Sequence, residues 1–211
     1  VMIASQSLAA LPDSLVLEAC TFLLLSIAKL DATGNGRWWI AAGAALGAAF
    51  LTKYTAFFLA GGIVLWLLAS ASTRRWLATP WPYAAATIAI ACFIPNLVWN
   101  ATHDWVSFKF QFGRVVSGGL TARYLVEFIA GQIALASPFI LLLAVIAFAR
   151  DIRSWLQSKP LSISAAIVLP AVVYFTLHAM HDRVQGKWPS FIYPALAILA
   201  AQAMICEPAT R

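Results

Sequence analysis

Charge is what this 211-residue sequence has least of. Asp, Glu, Lys and Arg make up 10% of it, against about 25% in an ordinary soluble domain. Hydrophobic residues make up 62%, and mean hydropathy is +0.83. This excludes a water-soluble globular domain and reads as an integral membrane protein. Alternation of apolar and polar residues, the mark of barrel strands, is also missing, because the apolar runs are long and unbroken. A backbone in lipid must satisfy its own hydrogen bonds. The expected fold is therefore all-α, a multi-pass transmembrane helical bundle. Cysteine is scarce: Cys20, Cys92 and Cys206 lie inside apolar runs with neither metal-ligand nor disulfide spacing, and read as small buried hydrophobes. No metal and no cofactor is expected. There is no long linker, low-complexity tract or internal repeat, so residues 1–211 read as one transmembrane domain. The formal net charge of +6 points to lipid phosphates and orientation signals, not to nucleic acid. Residues 1–11 lack the basic start of a signal peptide and read as the tail of a helix. The chain is thus expected to be a piece of a longer protein, its N-terminal part missing.

What is there is arranged around isolated charges. The stretch from Trp38 to Ser70 holds one, Lys53. A single helix of that length would run roughly 50 Å, too long for a hydrocarbon core of about 30 Å. A lysine in mid-span is costly, but at a helix end it can reach the membrane surface. The reading is two helices, 38–52 and 54–70, with Lys53 at the turn. Extended along the chain, this gives seven spans: 14–30, 38–52, 54–70, 81–99, 121–149, 161–180 and 188–206. Asp13, after Pro12 and before the first apolar run, is placed as an N-cap.

The loops between these spans fall into two alternating sets. One holds Lys29, Arg37, Arg74, Arg75, Arg150, Arg153, Lys159 and Arg211. The other holds Lys53, Lys109, Arg114, Arg123, Arg183 and Lys187. The slight basic excess of the first set places it in the cytoplasm. The second set also carries Asp13, Asn100, His103, Asp104, Glu127, His181 and Asp182, a concentration of polar groups on one face that marks a candidate site. In NATHDWVSFKFQFGRVVSGGL, residues 100–120, Trp105, Phe108 and Phe112 recur at i, i+3 and i+7. That spacing predicts an amphipathic helix lying at the interface, in preference to the short strand that alternating Phe108, Phe110 and Phe112 would allow.

LPDSLVLEACTFLLLSIAKL, GRWWIAAGAALGAAFLTKYTAFF, IPNLVWNATHDWVSFKFQFGR and GKWPSFIYPALAILAA follow one another in order. In their order and spacing they resemble bacterial members of glycosyltransferase family 39, the group of the dolichyl-phosphate-mannose protein mannosyltransferases and lipid A aminoarabinose transferases. The resemblance implies a C-type glycosyltransferase fold and a place in the bacterial inner membrane. It implies transfer of a sugar from a polyprenyl-phosphate carrier to an acceptor on the extracytoplasmic side, where the second loop set and the amphipathic helix would lie. The partners it implies are membrane lipids, the polyprenyl-phosphate-linked sugar and an acceptor the motifs do not identify.

The same resemblance suggests roles for individual residues. Lys53 matches the lysine of the family's L-T-K motif and, with Arg114 after the aromatic helix, is expected at the carrier phosphate. The family's main catalytic carboxylate lies in a loop upstream of this chain. Among the residues present, Asp13, His103 and Asp104 are the catalytic candidates, and each has a plainer role beside it: Asp13 as a helix cap, His103 and Asp104 as groups that hold their loop in shape. His178, His181 and Asp182 have the spacing of a partial metal site without a further ligand. The alternative reading, from a different class, is a non-enzymatic transporter or lipid-handling protein. Such proteins place ionisable groups near the membrane midplane, whereas here the charges gather at helix ends.

Overall fold

The computed structural model describes residues 12–113 and 120–205 and contains, among them, ten α-helices and two 3₁₀ segments with no strand. The helices are α1 (Pro12–Thr33), α2 (Trp38–Thr52), α3 (Ala56–Ala69), α4 (Ala71–Arg74), α5 (Trp81–Thr102), α6 (Val106–Gly113), α7 (Arg123–Ala136), α8 (Pro138–Leu156), α9 (Ile163–Ala179) and α10 (Tyr193–Ile205). The all-α bundle expected from composition is the fold observed.

Two helical stretches are long and apolar enough to cross a membrane, Trp81–Thr102 and Trp188–Ile205, and two bent pairs raise the number to four if each is one crossing. Of the other segments expected to cross, α2 and α9 are apolar but shorter, with 15 and 17 residues. Helix α1 carries Asp13, Glu18, Lys29 and Asp31 along its length. Large apolar side chains such as Phe22, Phe139 and Leu142 are exposed on the outside of the bundle, the surface a lipid-facing chain presents.

The fifth expected span, 121–149, is not one helix. Helices α7 and α8 meet at 108°, and the corner is Ser137, whose φ of 74° and ψ of 129° leave the helical region. The cause is Pro138, which has no N–H to give the preceding turn and whose ring disfavours a helical residue before it. Pro138 instead takes the first position of α8, where a missing N–H costs nothing. A second corner, of 106°, follows α3 at Ser70, whose hydroxyl accepts from Thr73 N at 3.3 Å and starts α4.

The break at Lys53 falls where the sequence puts it. The helix α2 ends with Lys53 N donating to Ala49 O at 3.1 Å, Lys53 is extended at φ −160°, ψ 143°, and α3 begins at Ala56. The two helices then pack mainly on different neighbours, α2 against α1 and α5, α3 against α9. Glycine makes the first contact close: a Cβ on Gly43 would lie 2.6 Å from both Cα and O of Ala85 in α5. The buried core runs through Leu23 and Ile27 of α1, Trp39 of α2, Phe175 of α9, Phe191 and Leu199. At the far end of α3, Trp155 Nε1 donates to Ala69 O at 3.1 Å, tying α8 to the α3–α4 corner.

Candidate functional site

The ends of α1, α2 and α5, the start of α3 and the loop before α10 meet around two cavities that share Lys53, Tyr54, Gln111 and Trp188. One is a polar cleft of about 450 Å³, bordered also by Asp13, Asn96, Gln185 and Lys187. The other, of about 270 Å³, is walled by aromatic rings, among them Phe58, Phe108, Tyr174 and Phe175, with Thr55 and His178 as its further polar side chains. Mostly apolar walls with a few convergent polar groups are the usual make-up of a ligand site.

Lys53 does not stand alone at its turn. Its ammonium is ion-paired with the carboxylate of Asp13, 40 residues earlier. The Asp13 side chain is 7% exposed and that of Lys53 25%. Asp13 is therefore not the N-cap expected from the sequence. Pro12 takes the first helical position of α1, and Asp13 lies inside the first turn, where a negative charge also complements the helix dipole. The pair fixes the ammonium at the junction of both cavities, and Lys187 brings a second cation to the polar cleft. With Asp13 counted, the charged lining of that cleft carries a net positive charge, which suits one anionic group.

A buried polar network holds the other wall. Asn100 of α5 is fully buried. Its Nδ2 donates towards Tyr54 Oη at 3.2 Å and Asn96 O at 2.9 Å, and Tyr54 Oη donates to Asn96 Oδ1 at 3.0 Å. Asn100 Oδ1 accepts from Ser107 N at 3.2 Å, and its carbonyl accepts from Trp105 N at 2.8 Å. One side chain thus links α5, the Lys53 turn and the start of α6. The corner needs that support, because Asp104 and Trp105 have φ of 53° and 57°, a region costly for residues other than glycine. Asn100→Ala should destabilise the protein by about 1–3 kcal/mol, since it strands buried partners; the thermal unfolding midpoint of the detergent-solubilised protein, compared with that of Thr102→Ala at an exposed position, is the measurement.

The helix expected over the aromatic loop is present as α6, and Phe108 packs against Tyr54 and Trp105 with ring centroids 5.2 and 5.5 Å apart. Arg114 and the Phe112 side chain lie outside the described residues. Of the catalytic candidates, Asp13 borders the polar cleft, and His103 and Asp104 border neither of these two cavities. His103 is the C-cap of α5, stacked on Trp99 at 4.2 Å with Nδ1 2.8 Å from Trp99 O, and Asp104 is an exposed residue of the corner. The contacts of His103 are those of a residue that holds its loop in shape. Among the described residues no group of three or more His, Cys, Asp or Glu side chains comes together as a metal site.

A third cleft, of about 540 Å³, shares Gln185 and Trp188 with the polar cleft. Glu127 borders it between Arg123 and Arg183, each guanidinium Nε 3.2 Å from a carboxylate oxygen. Both arginines are more than 70% exposed, so these pairs add little stability.

Lys187, Thr55 and the Asn96–Tyr54–Asn100 network were not singled out as site residues by sequence. Lys187 and Asn100 had one signal, their place in the second set of loops; Thr55, Tyr54 and Asn96 had none, since only folding brings α5 against the Lys53 turn.

Comparison with known proteins bears out the resemblance read from the motifs. Residues 1–99 match the model of the dolichyl-phosphate-mannose-protein mannosyltransferase family, a stretch that contains Asp13, Lys53, Tyr54, Thr55 and Asn96. Over 160 residues the chain is 29% identical to the lipid A galacturonosyltransferase RgtD of Rhizobium johnstonii, covering 75% of this chain and 33% of that protein. The chain therefore spans about a third of the length of this curated relative. No solved structure matches the chain.

Proposed function

We propose that this relative of the dolichyl-phosphate-mannose-protein mannosyltransferases is the donor-handling part of a membrane glycosyltransferase, which moves a sugar from a polyprenyl-phosphate carrier to an acceptor on the extracytoplasmic side of a bacterial inner membrane. The observation that carries this reading is Lys53, held by Asp13 where a cationic polar cleft opens into an aromatic cavity.

In such a transfer the bond from the anomeric carbon to the carrier phosphate breaks while an acceptor oxygen forms a new one. Negative charge grows on the departing phosphate, and the acceptor hydroxyl gives up its proton to a base. Lys53 and Lys187 stabilise that phosphate; the largely covered Lys53 ammonium, 25% exposed and held in advance by Asp13, does so more effectively than a cation in bulk water, while the exposed Lys187 adds its charge at the cleft. Asp13 acts as a positioning residue, holding the Lys53 ammonium in place before the donor arrives. Arg114 remains the further cation expected from the sequence. The base, on this reading, comes from outside the residues described.

The name of the RgtD relative suggests the first substrates to try. Full-length protein in proteoliposomes is given polyprenyl-phosphate galacturonic acid and lipid A. Release of polyprenyl phosphate with galacturonic acid appearing on lipid A supports the reading. Turnover of a nucleotide sugar but of no lipid-phosphate sugar overturns it. The orientation has its own check, with single cysteines at Ser72 and Ala101 in a background free of native cysteine. A membrane-impermeant maleimide added from the periplasm should label position 101 and not position 72; the opposite pattern reverses the topology.

A further inference from the structure

At the end of the bundle away from Lys53, the start of α2, the α4 corner and the start of α5 meet. Trp39 of α2 packs on Trp76, ring centroids 6.4 Å apart, and a Cβ on Gly36 would lie 2.3 Å from the Trp81 ring. Tyr83 Oη donates to Leu77 O at 2.9 Å. Three arginines converge on this corner. Arg37 immediately precedes α2, Arg74 Nη2 donates to Leu68 O at 2.8 Å, and the Arg75 guanidinium lies over the Trp76 ring, 5.9 Å from its centroid. All three are exposed, and among the described residues none is ion-paired. At the other end Lys53, Arg123 and Arg183 each have a carboxylate partner. From Tyr83 an exposed apolar stripe runs down α5 through Ile90, Ile94 and Val98, each about half exposed.

We propose that this corner binds an anionic phospholipid, with Arg37, Arg74 and Arg75 on its phosphate and an acyl chain along the α5 stripe. Guanidinium groups suit phosphate because their planar forks match its oxygens. Tryptophan and tyrosine gather at the headgroup level of membranes, and basic pockets between membrane helices take anionic headgroups. A free anion would engage the arginines alone and leave the stripe unused. From Tyr83 to Val98 the stripe rises roughly 22 Å along the helix, enough to follow a chain through one leaflet of a hydrocarbon core about 30 Å thick. The site is independent of the donor reading, since α2 begins at this corner and reaches Lys53 only at its other end.

The test titrates full-length protein in a neutral detergent with phosphatidylglycerol and reads affinity from the rise in unfolding midpoint, each variant against its own lipid-free value. Phosphatidylglycerol should stabilise the wild type and phosphatidylcholine should do so far less. The affinity should fall as salt is added, a reading that needs no variant. Removing one arginine, as in Arg37→Gln, should weaken binding about 5-fold, and Arg74→Gln with Arg75→Gln roughly 30-fold. Arg74→Lys with Arg75→Lys keeps the charge and should recover much of the loss. Arg123→Gln with Arg183→Gln, at the other end, should bind as wild type does. Unchanged affinity in the Arg74→Gln, Arg75→Gln variant, or insensitivity of the wild type to salt, overturns the proposal. It is overturned equally if the Arg123, Arg183 pair matters as much, which would make the attraction diffuse, or if glycerol 3-phosphate binds as tightly as the lipid, which would make this a site for a free anion.

Discussion

Lys53→Ala should lower sugar transfer by the full-length protein about 10²–10³-fold, a loss of about 2.7–4 kcal/mol of transition-state stabilisation by analogy with deleting one preorganised donor. The substitution also strands Asp13, whose side chain is 7% exposed, and an unpaired carboxylate there should cost on the order of 1–3 kcal/mol of stability. The two effects separate in a double variant. Lys53→Met with Asp13→Asn removes both charges together, so the unfolding midpoint should return towards wild type while turnover stays low. Lys53→Arg keeps the charge in a different shape and should recover part of the rate. Wild-type turnover in Lys53→Ala would reduce the lysine to a cation resting at the membrane surface. Full recovery of turnover in the double variant would reduce the pair to scaffolding.

Replacing Gly43 should damage the fold more than any other single change at a helix contact described above. Even alanine places a carbon 2.6 Å from two backbone atoms of Ala85, a contact that only separation of α2 and α5 can relieve. Such overpacking costs about 1–3 kcal/mol for a small side chain, and Gly43→Leu should prevent recovery of folded protein from the membrane. The site would feel the change too. Helix α2 ends at Lys53, and α5 carries Asn96 and Asn100, so spreading the two helices pulls the network from Tyr54. Gly61→Ala is the control, because nothing lies within 4 Å of the carbon it adds and alanine is the better helix former. Its unfolding midpoint should equal or exceed that of wild type, while that of Gly43→Ala falls. Equal midpoints for the two variants would show that the α2–α5 contact is not as close as the glycine indicates.

The sequence by itself determined the class of the protein, because membrane residence and helicity follow from composition summed over long windows. It determined the break at Lys53, since a charge in the middle of an apolar stretch is tolerated at a helix end and costly elsewhere. It also pointed to a helix within residues 100–120, from a three-and-four spacing of aromatics that a strand cannot place on one face; the structure has it at 106–113, with Trp105, the first of those aromatics, in the corner before it. The corner at Ser137 was written locally in a Ser-Pro pair, but the length of the apolar run outweighed it; only the structure showed one span to be two helices at 108°. The partners of charges were decided by tertiary structure alone. Asp13 reads as a helix cap because capping is a local interaction, visible within a few residues. Its pairing with Lys53 spans 40 residues and exists because α1 packs on α2. The same holds for Lys187 in the polar cleft and for Asn100 bridging α5 and the Lys53 turn. Periodicity and composition are properties of neighbours along the chain, whereas a site is made by residues that only packing brings together.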